Sequence, residues 1–211
     1  MYAPRSAVVG VRVLSAVAIG LLACHTLAAP ADSRQGTPGH LRLIAPLDRP
    51  QDGYCLDIVG SGAHVRFDLP MTAHNCKPGL YADEAVILEP SGRILFPAYN
   101  KCATAAGLNS RALPGAAIVP RDCGERSPFM EAERLQVFRL KTNGQLELEG
   151  SGLCMTAGGK SDRTFSAEHR WRALFLEECH LADPKLSRWK FSVPPRPLDP
   201  SAVTDGIGFP R

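Results

Sequence analysis

The amino-acid sequence predicts an all-β protein built from three similar units. Six cysteines fall into three sequential pairs, a turn signal followed by a short apolar strand recurs three times, and an apolar closing position ends each unit. The composition agrees with this prediction, because 19 glycines and 18 prolines in 211 residues favour a turn-rich β protein over a helix bundle.

The overall composition is that of an ordinary globular chain. It is 45% hydrophobic and 21% charged, which excludes a disordered tail, a collagen-like fibre and a coiled coil. The formal charge of +3 is too small to predict nucleic acid as a partner, because binding to phosphates depends on clustered lysines and arginines.

The cysteines predict three disulfides. Seven occur in the chain, and all but Cys24 lie beyond the N-terminal segment. The six others form successive pairs separated by 21, 21 and 25 residues. Although six cysteines permit fifteen connectivities, the near-regular spacing favours bridges between sequence neighbours, one in each unit. The predicted pairs are Cys55–Cys76, Cys102–Cys123 and Cys154–Cys179.

A turn signal precedes the first strand of each unit. The signals are Pro38-Gly39, Ser91-Gly92 and Asn143-Gly144, and their glycines lie 53 and 52 residues apart. A short alternating segment follows each one and predicts strands over 41–44, 93–96 and 145–148.

Each unit also has an apolar closing position. Val86, Phe138 and Trp189 lie 52 and 51 residues apart, so three landmarks repeat with nearly one period. Because about four short strands cannot bury an apolar face alone, three units are expected to close together as a β-trefoil. The predicted trefoil covers 39–192, with repeats of about 39–90, 91–142 and 143–192.

Residues 1–28 predict a signal for export. Arg5 and Arg12 give a positive start, and Val13–Ala23 is an apolar run. At about eleven residues this run is shorter than the roughly twenty that a bilayer-spanning helix needs, so it is typical of a secretory signal peptide.

Two cleavage sites compete in this segment. Small residues in Thr26-Leu27-Ala28 predict cleavage before residue 29 and a soluble exported chain, whereas Leu21-Leu22-Ala23-Cys24 is similar to a bacterial lipobox in which Cys24 is lipidated. After the signal, 29–38 is predicted as a short polar linker. At the other end of the chain, 193–211 is proline-rich and predicted to be extended.

These residues resemble a known family. Four features carry the resemblance: Tyr54-Cys55-Leu56-Asp57, a second cysteine about twenty residues later, Gln136-Val137-Phe138 and Arg188-Trp189-Lys190-Phe191. Together they resemble the ricin B-type β-trefoil lectins over about 40–192. The resemblance implies a β-trefoil with one disulfide per repeat and shallow carbohydrate-binding pockets, each made within one repeat.

In the first repeat, the resemblance implies four carbohydrate-binding residues. Asp57 would accept hydrogen bonds from sugar hydroxyls, His74 stands where a ring would stack on the sugar, and Thr72 is its polar neighbour. Asp83 stands where an asparagine is usual, with Glu84 at the glutamine position, and this difference puts the usual galactose preference in doubt. Each of these residues also has a purely structural interpretation, such as a loop cap for Asp57.

The other two repeats depart further from the lectin pattern. Thr104 and Thr156 replace the aspartate, and Arg121 and Glu177 replace the ring, so weak or inactive pockets are expected there. The second repeat also contains five extra residues within Gly124–Glu133, which predict a surface-loop insertion.

Three functional hypotheses follow. The first is an exported lectin-like protein that binds a carbohydrate or glycoconjugate. The second is a glycan- or partner-binding subunit of an exported toxin resembling cytolethal distending toxin, and the third is an enzyme. The sequence shows no catalytic or phosphate-binding motif and no close cysteine or histidine cluster, so we expect no enzyme, cofactor or metal, and membrane contact only through a lipid on Cys24.

Overall fold

A computed structural model describes residues 36–164 and 166–193. The predicted signal peptide, the candidate lipidation site Cys24, most of the linker and the proline-rich segment after residue 193 lie outside the described residues. None of the helices within the described part is long and apolar enough to span a membrane.

The first repeat contains four short strands, in which alternate side chains face the core. A single 3₁₀ turn, Gly62–His64, lies in its long central loop. The strands are β1 (His40–Leu43), β2 (Tyr54–Asp57), β3 (Thr72–Asn75) and β4 (Ile87–Leu88).

The second repeat has the same order and an added hairpin. Within the predicted insertion, Arg126–Ser127 and Met130–Glu131 pair as strands and are followed by a single helical turn. The elements are β5 (Ile94–Phe96), β6 (Lys101–Ala105), β7 (Ile118–Asp122), β8 (Arg126–Ser127), β9 (Met130–Glu131), α1 (Ala132–Leu135) and β10 (Phe138–Leu140).

The third repeat has a longer third strand. Its closing helical turn starts after Asp183, whose side chain caps the turn by accepting from the backbone N–H of Lys185. The elements are β11 (Leu146–Leu148), β12 (Leu153–Ala157), β13 (Asp162–Arg163), β14 (Arg170–Glu178), α2 (Pro184–Ser187) and β15 (Trp189–Ser192).

The closing strand of each repeat pairs with the first strand of the next. β4 pairs with β5, β10 pairs with β11, and β15 pairs with β1, all antiparallel. Within each repeat the two central strands form an antiparallel pair, β2 with β3, β6 with β7 and β12 with β14. This threefold arrangement is the one expected for a β-trefoil.

The three disulfides have the predicted connectivity. Cys55–Cys76, Cys102–Cys123 and Cys154–Cys179 are bonded, with Cα–Cα distances of 5.0, 5.1 and 4.9 Å. Each bridge ties the central strand pair of one repeat. Three such bridges are typical of a protein that folds in an oxidising compartment.

One apolar core is shared by all three repeats. Buried side chains from each repeat's strands meet in it, among them Leu56, Phe96, Phe138, Met155 and Trp189. Because no repeat encloses this core alone, the repeats stabilise one another.

Replacing Trp189 tests this shared core. Trp189 is fully buried, and its indole N–H donates to the carbonyl of Met155 at 2.8 Å. We expect Trp189→Ala to lower the free energy of unfolding by about 3–5 kcal/mol, measured by urea denaturation. Leu181→Ala, at an exposed position, is the control and should change it by less than about 0.5 kcal/mol. A loss below about 1 kcal/mol for Trp189→Ala would contradict the shared core.

Candidate functional site

The strand register places the predicted site residues of the first repeat on one hairpin. Asp57 lies opposite Thr72 on β2 and β3, and Cys55 lies opposite His74. All four predicted residues, Asp57, Thr72, His74 and Asp83, are buried. Asp57 and Asp83 are therefore acids placed below the surface, where a carboxylate needs a partner.

Lys77 supplies that partner. Its Nζ lies 3.0 Å from Asp57 Oδ2 and 2.5 Å from Asp83 Oδ2, with Glu84 Oε1 at 4.0 Å. The Lys77 side chain remains 17% exposed, whereas those of Asp57 and Asp83 are 5% and 3% exposed, so Lys77 lies on the solvent side of the carboxyls. Burial acts to lower the pKa of Lys77, but the three carboxyls outweigh it and the pKa is raised. We call Asp57, Lys77, Asp83 and Glu84 the Lys77 cluster.

Glu84 lies at the bottom of this cluster. It is fully buried, and its Oε2 accepts from the backbone N–H of Lys77 at 3.0 Å. Burial is the main cause that raises the pKa of Glu84 to about 7, against the attraction of Lys77. Burial likewise raises the pKa of Asp57 well above its usual value. The cluster thus holds more acid than one ammonium neutralises.

His74 contacts both the backbone and a second histidine. Its Nδ1 lies 2.9 Å from the carbonyl oxygen of Asn75, and because a carbonyl only accepts, Nδ1 carries a proton. The His74 and His169 rings lie 5.5 Å apart at 34°. Burial lowers the pKa of His74. Little of its ring faces solvent, and its proposed stacking role stays a prediction.

The second repeat has a neutral version of the same arrangement. Thr104 and Gln136 take the positions of Asp57 and Glu84, and Gly124 takes that of Lys77 directly after the second cysteine. Gln136 Oε1 accepts from the Gly124 N–H at 2.7 Å, and its Nε2 donates to Thr104 Oγ1 at 2.9 Å. This side-chain amide also donates to the carbonyl of Asp122 at 2.8 Å.

The third repeat satisfies these positions locally. The Thr156 hydroxyl donates to the carbonyl of Cys154 at 3.1 Å, and the Ser187 hydroxyl donates to the carbonyl of Asp183 at 2.9 Å. Neither contact leaves a charged group at the hairpin. Among the described residues, the charged cluster is therefore confined to the first repeat.

Asp57, His74 and Glu84 also bring metal-ligand atom types within 4.8 Å of one another, although they are distant in sequence. The Lys77 ammonium lies against the same carboxyls, and His74 Nδ1 is occupied by the Asn75 carbonyl. The cation of this cluster is thus the protein's own lysine, and we assign no metal here.

A second buried charge, missed in the sequence, supports the hairpin from the side. The Arg172 guanidinium on β14 donates a hydrogen bond to the Asp48 carboxylate. It also donates to the backbone carbonyls of Gly158 and Gly159, both at 2.8 Å. The guanidinium lies over the Tyr54 ring, 4.7 Å from the ring centroid. Because Asp48 and Tyr54 belong to the first repeat, this contact joins the first and third repeats.

Solved structures confirm the architecture. The agglutinin from Abrus precatorius is similar with a TM-score of 0.52 and 17% identity, over 76% of this chain and 50% of that one. The mdaA-1 domain is similar with a TM-score of 0.50 and 19% identity, over 80% of this chain and 99% of that domain. The chain has the β-trefoil fold of the ricin B-type lectins.

A third solved structure is similar to this chain, and the sequence comparisons found no relative. The chain spans about half the length of the Abrus agglutinin chain. The β-trefoil lectin of the Vibrio vulnificus hemolysin/cytolysin also matches, with a TM-score of 0.47 and 14% identity over 77% of this chain and 98% of that one. No family model matches the chain. No curated protein matches it either.

Replacing Lys77 tests the ion cluster. Lys77→Met removes the ammonium and leaves buried carboxyls without a countercharge, so we expect a loss of about 3–5 kcal/mol of unfolding free energy at pH 8. The loss should be smaller at pH 5, because Glu84 and Asp57, whose pKa values are raised, take up protons and become neutral.

Lys160→Met, at an exposed lysine, is the matched control and should change stability little at either pH. Equal losses for Lys77→Met at pH 5 and pH 8 would contradict the charge argument.

Proposed function

We propose that this protein is an exported carbohydrate-binding protein whose sugar site is the Lys77 cluster of the first repeat. The observation that carries the proposal is the pair of carboxylates, Asp57 and Asp83, held on either side of one partly exposed ammonium. Sugar hydroxyls need directional donors and acceptors, and charged groups make the strongest hydrogen bonds of this kind.

The binding mode follows from the flexibility of Lys77. The ammonium sits on a four-carbon stem and caps Asp57 and Asp83. A sugar would displace it partly, donate hydroxyl protons to the two carboxylates and accept from the ammonium. Thr72 and His74 line the β3 side of this position, and His74 would contribute an edge contact to the sugar.

The Abrus structure supports the proposal by its name, since that protein is an agglutinin. The proposal assigns no catalytic role to the cluster, because Lys77 is paired with Asp57 and Asp83.

Export is part of the proposal and is supported by the three disulfides. The mass of the exported chain distinguishes the two N-terminal alternatives. Soluble export predicts a mature chain that starts at residue 29. Lipidation predicts a membrane-bound chain that starts at Cys24 and is released or left unprocessed in Cys24→Ser.

A second candidate, a subunit of an exported complex, is favoured by an exposed apolar patch. Leu108, Leu113 and Phe129 are 71%, 74% and 72% exposed. A backbone hydrogen bond joins the insertion to the 108–113 loop: the N–H of Asn109 donates to the carbonyl of Phe129 at 2.7 Å. Two arginines and two glutamates line an adjoining open depression of about 590 Å³, so the partner would be a protein subunit that covers the apolar residues and carries charges of both signs at its rim.

Native mass spectrometry of the exported protein tests this second candidate. A stable complex with a second kind of subunit is expected, and Phe129→Asp should dissociate it. A monomer, or a complex unaffected by Phe129→Asp, would contradict this candidate and leave the sugar site unaffected.

The sugar site is tested by Asp57→Asn on a glycan array. The amide keeps the size of the carboxyl but loses the charged acceptor, whose hydrogen bonds are worth about 1.5–3 kcal/mol, so binding should fall by about ten- to a hundredfold. The melting temperature should stay nearly unchanged, because Lys77 keeps Asp83 and Glu84 as partners.

Thr156→Ala changes the matched position of the third repeat and should leave array binding intact. If the wild type binds no glycan, the sugar proposal fails. If Asp57→Asn folds but binds as the wild type does, the site lies elsewhere.

A further inference from the structure

Glu84 contains an atom whose hydrogen bonding is incomplete. Its Oε2 accepts from Lys77 N–H, whereas Oε1 is buried and, among the described residues, has no hydrogen-bond partner as a bare carboxylate oxygen. An unsatisfied buried acceptor of this kind is costly and calls for an explanation.

The second repeat shows which interaction is missing. There, Gln136 uses its oxygen on Gly124 N–H and its amide N–H on Thr104, the residue that matches Asp57. Glu84 makes the same oxygen contact with Lys77 N–H. A carboxyl in this position reproduces the amide's donation to Asp57 only if Oε1 carries a proton.

His74 supplies the other donor that Glu84 lacks. In the second repeat, the Gln136 amide also donates to the carbonyl before the second cysteine, that of Asp122. In the first repeat, the matching carbonyl of Asn75 receives His74 Nδ1–H instead. A protonated Glu84 and His74 together thus provide both hydrogen bonds that a glutamine provides alone.

The proton belongs on Glu84 rather than on Asp57. Asp57 lies 3.0 Å from the Lys77 ammonium and Glu84 lies 4.0 Å from it, so the negative charge is better stabilised on Asp57. Carboxyl oxygens of Asp57 and Glu84 lie within 4.8 Å of each other, and two buried carboxyls at this separation titrate as a coupled pair.

We propose that Glu84 is a protonated positioning residue that holds Asp57 for ligand, and that loss of its proton at mildly alkaline pH weakens sugar binding. The ligand part of this proposal rests on the proposed function of the Lys77 cluster. Once ionised, Glu84 cannot donate to Asp57 and places a second buried negative charge beside it. Asp57 then turns towards Lys77 and away from the sugar.

Other titratable groups lie close to Glu84, and the experiments must distinguish their protonation from that of Glu84. His40 on β1 lies 3.7 Å from Oε2, and His74 on β3 lies 3.8 Å from Oε1. Burial lowers the pKa of both histidines, which favours their neutral forms. Burial raises the pKa of Glu84 to about 7, against the attraction of Lys77. Lys77 keeps its charge between pH 6 and pH 8.5, because the surrounding carboxyls raise its pKa.

Carbon-13 NMR of glutamate-labelled protein tests the protonation without any ligand. One side-chain carboxyl carbon should titrate with a midpoint near pH 7 and be absent in Glu84→Gln. Glu131→Gln, at an exposed glutamate of the second repeat, should leave that signal unchanged. A Glu84 midpoint below about pH 5 would overturn the proposal.

The same glycan array, read at pH 6.0 and pH 8.5, tests the effect on the site. Wild-type affinity should fall by about tenfold or more with rising pH, because less than a tenth of the sites remain protonated at 8.5. Glu84→Gln should bind at both pH values with similar affinity, and Glu131→Gln should follow the wild type.

The outcomes separate the two proposals. No binding by the wild type to any glycan at either pH contradicts the proposed sugar site, while the NMR titration still decides the protonation of Glu84. Binding with equal affinity at both pH values supports the sugar site and overturns the role of Glu84. A pH dependence that persists in Glu84→Gln assigns the effect to the histidines and also overturns it.

Discussion

The pairing of the first strand with the last is the constraint on which the rest of the structure depends. β1 and β15 form four antiparallel residue pairs, from His40 with Ser192 to Leu43 with Trp189. This pairing joins the third repeat to the first and places Trp189 against the shared core. It also fixes β1 so that His40 faces Glu84 across 3.7 Å. Closure of the trefoil therefore completes the surroundings of the candidate site.

The Lys77 cluster is a local exception to the way this protein is stabilised. Its core is apolar and shared, whereas the cluster buries three carboxyls around one ammonium. Burying such groups costs free energy that their mutual attraction only partly offsets, and apolar residues of similar size would often be at least as stable. The neutral contacts of Thr104 and Gln136 show that the same hairpin folds without these charges. Stability alone thus does not account for the cluster, which favours a role in binding.

The sequence was sufficient to predict the fold because its landmarks act locally. Each landmark depends on one short segment of the chain. The landmarks are the cysteines 21 or 25 residues apart, the positive-φ turn glycines Gly92 and Gly144, and the buried closing residue Trp189. Repetition with one period then implied the threefold assembly. The role of Lys77 was missed because an ion pair depends on the path of the hairpin through space. Its position directly after Cys76, next to acids at 57 and 83, was the available signal.

Pseudo-symmetry gives this protein an internal reference for its own site. Gln136 shows how a neutral side chain meets the hydrogen-bonding needs of the position, using one acceptor and two donors. Glu84 offers one donor at most, and His74 occupies the carbonyl that is left over. The two differences compensate each other, which explains why an acid persists at the bottom of a hairpin that already contains Asp57 and Asp83. Since the compensation is complete only while Glu84 holds its proton, the same substitutions that make the first repeat charged also make its geometry dependent on pH.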